Sequence, residues 1–192
     1  AHLGDGAPRD VTWPLALRLG RVSNLPTVWT NVLAAAVLSG APVTSLAVPL
    51  IALACSLFYT GCMFLNDAFD REFDARVPPE RPIPSGAVSA AAVFALGFAL
   101  LSGGLLAIVA AARLSRGAAI GRPVTVTLAL VGLIVLYDVW HKHNPYGPLL
   151  MGLCRVFVYL TTAVTLTGSV PVPVVAGAVV LLAYLIGLTY VA

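Results

Sequence analysis

The sequence predicts an all-α bundle of membrane-spanning helices, six of them in this chain. Three observations predict it: an apolar excess, apolar runs long enough to cross a bilayer, and charged residues confined to some of the connections. Of 192 residues, 59% are hydrophobic and 10% are charged. A soluble domain carries roughly 25% charged and about 45–50% apolar residues, and a chain of this length has no soluble core able to hold the surplus. About 20 apolar residues in helical form cross roughly 30 Å of hydrocarbon. Backbone groups in lipid must be satisfied within the segment, so these runs are helices. A membrane strand would need only about 10 residues of alternating character.

The spans run from Leu25 to Ser39, Leu46 to Leu65, Val88 to Ala112, Val124 to Trp140, Leu149 to Thr167 and Val172 to Ala192. The first is short and is expected to begin a turn earlier, near Ser23. The connections are of two kinds. Gly40–Ser45 and Gly168–Pro173 are short and uncharged, whereas Asn66–Gly86 is densely charged and Asp138–Tyr146 carries Lys142 and two histidines. Alternation puts Arg9, Arg18, Arg21, Arg71, Arg76, Arg81, Lys142 and Arg155 on one side and Arg113, Arg116 and Arg122 on the other. Cationic loops favour the cytoplasm, so a cytoplasmic N-terminus and a multi-pass protein of the cytoplasmic membrane are expected. Every acid beyond the first ten positions then falls on that same side. Arginine dominates the eleven cations, which suits bidentate phosphate binding but equally follows from codon usage. No basic run or soluble module suggests nucleic-acid binding. Cys55, Cys62 and Cys154 lie in or beside spans without paired spacing and read as packing residues.

The chemistry is concentrated where the second span leaves the bilayer, at Asn66-Asp67-Ala-Phe-Asp70-Arg71-Glu72-Phe-Asp74. Asn66, Asp70 and Asp74 are spaced by four and share one helical face, with Asp67 close by. Carboxylates stacked in this way repel unless a cation lies between them. Hard oxygens with few acidic groups suit Mg²⁺, which shares itself with substrate phosphates. The bland alternative is a polar helix exit balanced by Arg71 and Arg76. Ionisable groups at membrane depth are costly and usually functional, which favours a site. Prolines at 78, 79, 82 and 84 then stop the helix, and Arg76 and Arg81 are placed either to approach a phosphate or within a plain linker. His141 and His143 diverge on a helix and read as loop polar residues.

Asn66-Asp67-x-x-Asp70-x-x-x-Asp74 followed by Arg81-Pro-Ile-Pro-Ser-Gly86 resembles the first aspartate-rich motif of the UbiA superfamily of intramembrane prenyltransferases. Arg21-x-Ser-Asn-Leu-Pro-Thr-Val-Trp29-x-Asn31 resembles that superfamily's approach to its first helix. Tyr137-Asp138-x-x-x-Lys142, Asn144-Pro145 and Pro148-Leu-Leu-Met-Gly-Leu-Cys-Arg155 resemble the connection between its fourth and fifth helices, most like the EboC-type branch. The resemblance implies a nine-helix bundle of which residues 1–192 form the N-terminal two-thirds, a single transmembrane domain incomplete at its C-terminus.

It further implies Mg²⁺-dependent transfer of a prenyl group from a prenyl diphosphate to an aromatic or other lipid-soluble acceptor at the cytoplasmic side. Asp70 and Asp74 are the expected catalytic residues, and Asn66, Asp70 and Asp74 the metal site. Asn31, Asn66, Asp67, Arg76, Arg81 and Lys142 are the expected substrate contacts, with an interhelical hydrogen bond as the other role open to Asn31. The superfamily's second aspartate-rich motif follows its sixth helix and has no counterpart here, so this stretch alone is expected to be inactive. Asp138 stands alone in sequence and does not replace that motif. The rival reading is a non-catalytic carrier or binder of an isoprenoid or amphipathic metabolite. A phosphatidyl-group transferase would need Gly after Asp70, where Arg71 stands.

Overall fold

The structure, a computed structural model, describes residues 12–71, 83, 85, 88–115, 119–142 and 144–191. Among the described residues seven α-helices follow one another: α1 (Trp13–Leu19), α2 (Leu25–Leu38), α3 (Ala47–Phe69), α4 (Ala90–Leu114), α5 (Gly121–Trp140), α6 (Gly147–Thr167) and α7 (Val172–Val191). Among the described residues there is no strand. The protein is a multi-span membrane helix bundle.

Five helices, α3 to α7, are long and apolar enough to cross a membrane, and α2 with its preceding turn is a shorter apolar helix, Val22–Leu38. The first expected span is thus a 3-10 turn, Val22–Asn24, leading into the 14 residues of α2. The break has a local cause. Arg21 adopts the left-handed conformation, φ 44° and ψ 45°, and Pro26 then sits in the first turn of α2, where its missing N–H costs nothing. The short helix α1 has no counterpart among the expected spans. Its Leu19 packs on Phe64 and Ala68 of α3.

α3 runs to Phe69, four residues beyond the expected end of the second span, and Asp70 caps it in right-handed helical geometry. Asn66 and Asp70 therefore do share a face. Asp74, Arg76 and Arg81 lie outside the described residues, so the third member of the expected stack does too.

α3 and α4 form the most extensive helix pair. Glycines let them approach: a Cβ on Gly97 would stand 2.8 Å from Leu65, and one on Gly104 2.5 Å from Phe58. Small residues at such crossings bring backbones close where lipid offers no hydrophobic drive to associate. The common core is built from Val32, Ile51, Phe58, Leu65, Ile108 and Leu130, three from α3 and one each from α2, α4 and α5. The outer surface is apolar too. α7 exposes Val172, Val180, Tyr184 and Leu188, as a lipid-facing or helix-covered surface would.

The helices alternate in direction. The C-terminal ends of α3 and α5 and the N-terminal ends of α2 and α6 consequently meet at one end of the bundle. The end of α7 reaches it as well, where the Tyr190 hydroxyl donates to the Pro145 carbonyl at 2.8 Å.

Candidate functional site

At that end the last turn of α3 supplies Asn66, Asp67 and Asp70, and the end of α5 supplies Asp138, His141 and Lys142. Asp70 is 5% exposed. A carboxylate so buried is stable only with partners, and among the described residues it has two on one oxygen. The Lys142 Nζ lies 3.1 Å from Asp70 Oδ2, and the His141 Nε2 lies 3.4 Å from the same atom.

His141 is aimed by its other nitrogen. Nδ1 lies 3.1 Å from the Tyr137 carbonyl one turn earlier, an acceptor, so Nδ1 carries a proton. The ring also stacks on Tyr137, centroids 4.9 Å apart and planes at 23°. Nε2 is left facing Asp70 and, at 3.5 Å, the amide nitrogen of Asn66. When the ring is neutral, Nε2 accepts from Asn66. When the ring is charged, it donates to Asp70.

Asp67 lies one turn before Asp70 on α3, and Arg21 Nη2 approaches it to 3.7 Å. The left-handed turn at Arg21 delivers that guanidinium to the bundle end. Arg71 Nη1 donates back to the Ala68 carbonyl at 3.1 Å, and its guanidinium lies 5.8 Å from the centroid of Phe94. Asp138 is 2% exposed. The Cys62 thiol donates to its Oδ1 at 3.5 Å, and its Oδ2 has no hydrogen-bond partner among the described residues.

Beneath this polar layer, α2, α3, α5 and α6 enclose a cavity of about 300 Å³. Arg21, Asn24 and Tyr137 stand at its mouth, and the Asn24 amide donates to the Tyr59 hydroxyl at 3.1 Å. Asn31 and Arg155 line it deeper, between apolar walls that include Phe58, Leu130 and Ile134.

Of the residues singled out by sequence, the structure gathers Asn66, Asp67, Asp70 and Lys142 at one place and sets Asn31 on the cavity wall. Asn31 makes no interhelical hydrogen bond among the described residues. His141, read from its spacing to His143 as a loop polar residue, instead touches Asp70. Arg21 and Arg155, read in sequence as topology-setting cations and as parts of longer motifs, line the cavity. Asp138, which stands alone in sequence, packs beside Cys62 of α3.

Among the described residues no three His, Cys, Asp or Glu side chains are grouped to hold a metal ion by themselves. The donors present are the oxygens of Asn66, Asp67 and Asp70, with basic groups interleaved. That set fits Mg²⁺, which binds through one or two carboxylates and completes its shell with waters and substrate phosphates.

Residues 24–192 match the UbiA prenyltransferase family. The chain is 37% identical over 91 residues to a digeranylgeranylglyceryl phosphate synthase of Methanothrix thermoacetophila, an alignment covering 47% of this chain and 34% of that protein. A solved structure of a digeranylgeranylglyceryl phosphate synthase superposes with a TM-score of 0.72 at 25% identity. The superposition covers 90% of this chain and 59% of the solved one. The chain thus spans about a third of the curated relative's length in sequence alignment.

Proposed function

The chain belongs to the UbiA prenyltransferase family, and from that premise we propose that it builds the diphosphate-binding part of a membrane prenyltransferase. The enzyme would move a prenyl group from a prenyl diphosphate to an aromatic or other lipid-soluble acceptor. One observation carries the reading: Asn66, Asp67 and Asp70 meet Arg21, His141 and Lys142 at one end of the bundle, where Arg21 also lines a largely apolar cavity.

In transfer, the bond between the allylic carbon and the diphosphate oxygen breaks. The acceptor bonds to that carbon and gives up a proton. Lys142 and Arg21 are chemically suited to grip the diphosphate oxygens, Lys142 as a point charge and Arg21 as a fork. Negative charge grows on the leaving group, so fixed cations there favour the transition state over the ground state. Asn66, Asp70 and Asp74 would hold Mg²⁺, which when bound neutralises that charge further. With the diphosphate in place, Lys142 would exchange Asp70 for a phosphate oxygen. The apolar walls keep water from the reactive carbon and take up the prenyl tail. The N-terminus and this end of the bundle face the cytoplasm in this reading, by the bias of cationic connections.

The test uses the full-length protein in nanodiscs, with geranylgeranyl diphosphate as the probe. Mg²⁺-dependent binding is expected, with turnover on a lipid-soluble acceptor. Absence of binding would overturn the proposal. Binding without turnover on any aromatic or lipid alcohol acceptor would favour a carrier instead. Orientation is read separately, in a background with Cys55, Cys62 and Cys154 replaced by Ala. A Tyr146→Cys variant should be labelled only in inverted vesicles and Thr44→Cys only from outside.

A further inference from the structure

Arg155 is the ninth residue of α6, which begins at Gly147. At about 1.5 Å per residue it stands roughly 12 Å into the helix. A guanidinium at that depth is expensive and normally has a partner on a neighbouring helix. Among the described residues Arg155 has no hydrogen bond and no ion pair. None of the described residues lining the cavity is acidic. Asp138, the buried acid nearby, is turned to Cys62.

The two cations of the cavity occupy different levels. Arg21 lies at the mouth and approaches Asp67 at 3.7 Å. Arg155 lines the cavity together with Cys55 and Cys154. Cys55 is eleven residues, roughly 16 Å at about 1.5 Å per residue, before Asn66 along α3. Asn31 is on the wall at a similar depth, six residues into α2. An amide donor and a fork of N–H donors thus face an otherwise largely apolar space with no anion supplied by its described lining. Polar groups placed sparsely in an apolar pocket fix what it accepts.

We propose that Arg155, with Asn31 also on the cavity wall, binds an oxyanion, a carboxylate or phosphate, carried by the lipid-soluble acceptor. That the anion belongs to the acceptor rests on the prenyl-transfer reading; the anion site itself rests on the cavity. Arg155 then determines specificity. It admits acceptors with a charged head and disfavours neutral ones, whose binding would leave the guanidinium buried without a counter-ion. The diphosphate end of the bundle remains with Lys142 and Arg21.

The test compares octyl phosphate, octanoate and octanol as probes, titrated calorimetrically into the full-length protein in nanodiscs. At least one of the two anions should bind about tenfold or more tightly than octanol, as a charge-assisted pair does. Arg155→Gln should abolish that preference, and Arg155→Lys should restore part of it, while geranylgeranyl diphosphate affinity moves less than about threefold. Thermal unfolding of each variant checks that it is folded, and Arg155→Lys carries the comparison if Arg155→Gln is not. The proposal is overturned if Arg155→Gln keeps the preference for the anion. It is also overturned if octyl phosphate and geranylgeranyl diphosphate weaken together, because Arg155 would then serve the diphosphate. Should the parent bind the anion through Arg155 but no geranylgeranyl diphosphate, the anion site stands and the prenyl-transfer reading falls.

Discussion

The two ends of the bundle both carry cations, and they use them differently. At the α3–α5 end, Lys142 and His141 converge on one oxygen of Asp70, and Arg21 approaches Asp67. At the other end, Arg122 donates to the Gly168 carbonyl at 3.1 Å, and Arg113 stands exposed in the last turn of α4. Gly168, with φ 75°, is the C-cap of α6, and a cation on a terminal carbonyl is an ordinary way to finish a helix. The described acids Asp67, Asp70 and Asp138 all lie at the first end. Positive charge marks a membrane surface, whereas buried carboxylates held by cations mark a place where charge can be exchanged.

Substitutions can break this contrast, beginning with the largest effect. Asp70→Asn keeps size and removes the charge on which Lys142 and His141 converge. In the full-length protein, Mg²⁺-dependent binding of geranylgeranyl diphosphate should fall roughly 100-fold, the upper range for a charge-assisted contact. Equilibrium binding checks this, and parental affinity would move the site elsewhere.

Gly104→Ala tests whether the contrast depends on the packing between the ends. Its Cβ would meet Phe58 at 2.5 Å and the Ala54 carbonyl at 3.0 Å. Overpacking of this kind should cost about 1–3 kcal/mol in unfolding while diphosphate affinity per folded molecule stays the same. Unfolding in mixed micelles followed by circular dichroism measures the first, and titration the second.

Lys142→Gln should weaken diphosphate binding about tenfold and Lys142→Arg less, since a phosphate-binding lysine acts mainly as a point charge. Comparing the two dissociation constants separates charge from shape. Arg122→Gln, at the other end, should change stability by less than about 0.5 kcal/mol and binding not at all. An effect there as large as at Lys142 would erase the distinction between the ends.

Periodicity and length revealed most of the bundle. α5, α6 and α7 begin or end within about three residues of the spans read from hydropathy, because one face of lipid and one apolar run set the same limits. The left-handed turn at Arg21 was not legible, since arginine has no special preference for it, and it shortens α2. α1 was missed because seven residues are too few for a periodic signal. In the site, Asn66 and Asp70 were legible through their spacing of four, a property of one helix. His141 was not: its partner Asn66 is 75 residues away. The spacing of His141 and His143 is local to the chain, whereas the contacts of His141 run across from the end of α5 to α3. Asp138 was hidden for the same reason, its thiol partner being 76 residues distant. Lys142 and Asn31 were found only through the motif resemblance.

Asp70 closes the C-terminal end of α3, and that position has an electrostatic meaning of its own. The aligned peptide dipoles of a helix leave roughly half a negative charge at its C-terminus, where a cation is usually placed. Here the chain puts carboxylates there instead, adding their field to the dipole's. Each such placement works against folding by roughly 0.3–1 kcal/mol, and the basic groups of neighbouring elements offset it. The end of α3 is consequently a fixed well of negative potential, present before any ligand arrives. Any group that relieves it, a lysine, a protonated imidazole or a divalent ion, gains from the same well, so the protein's internal cations and an external one compete for a single seat.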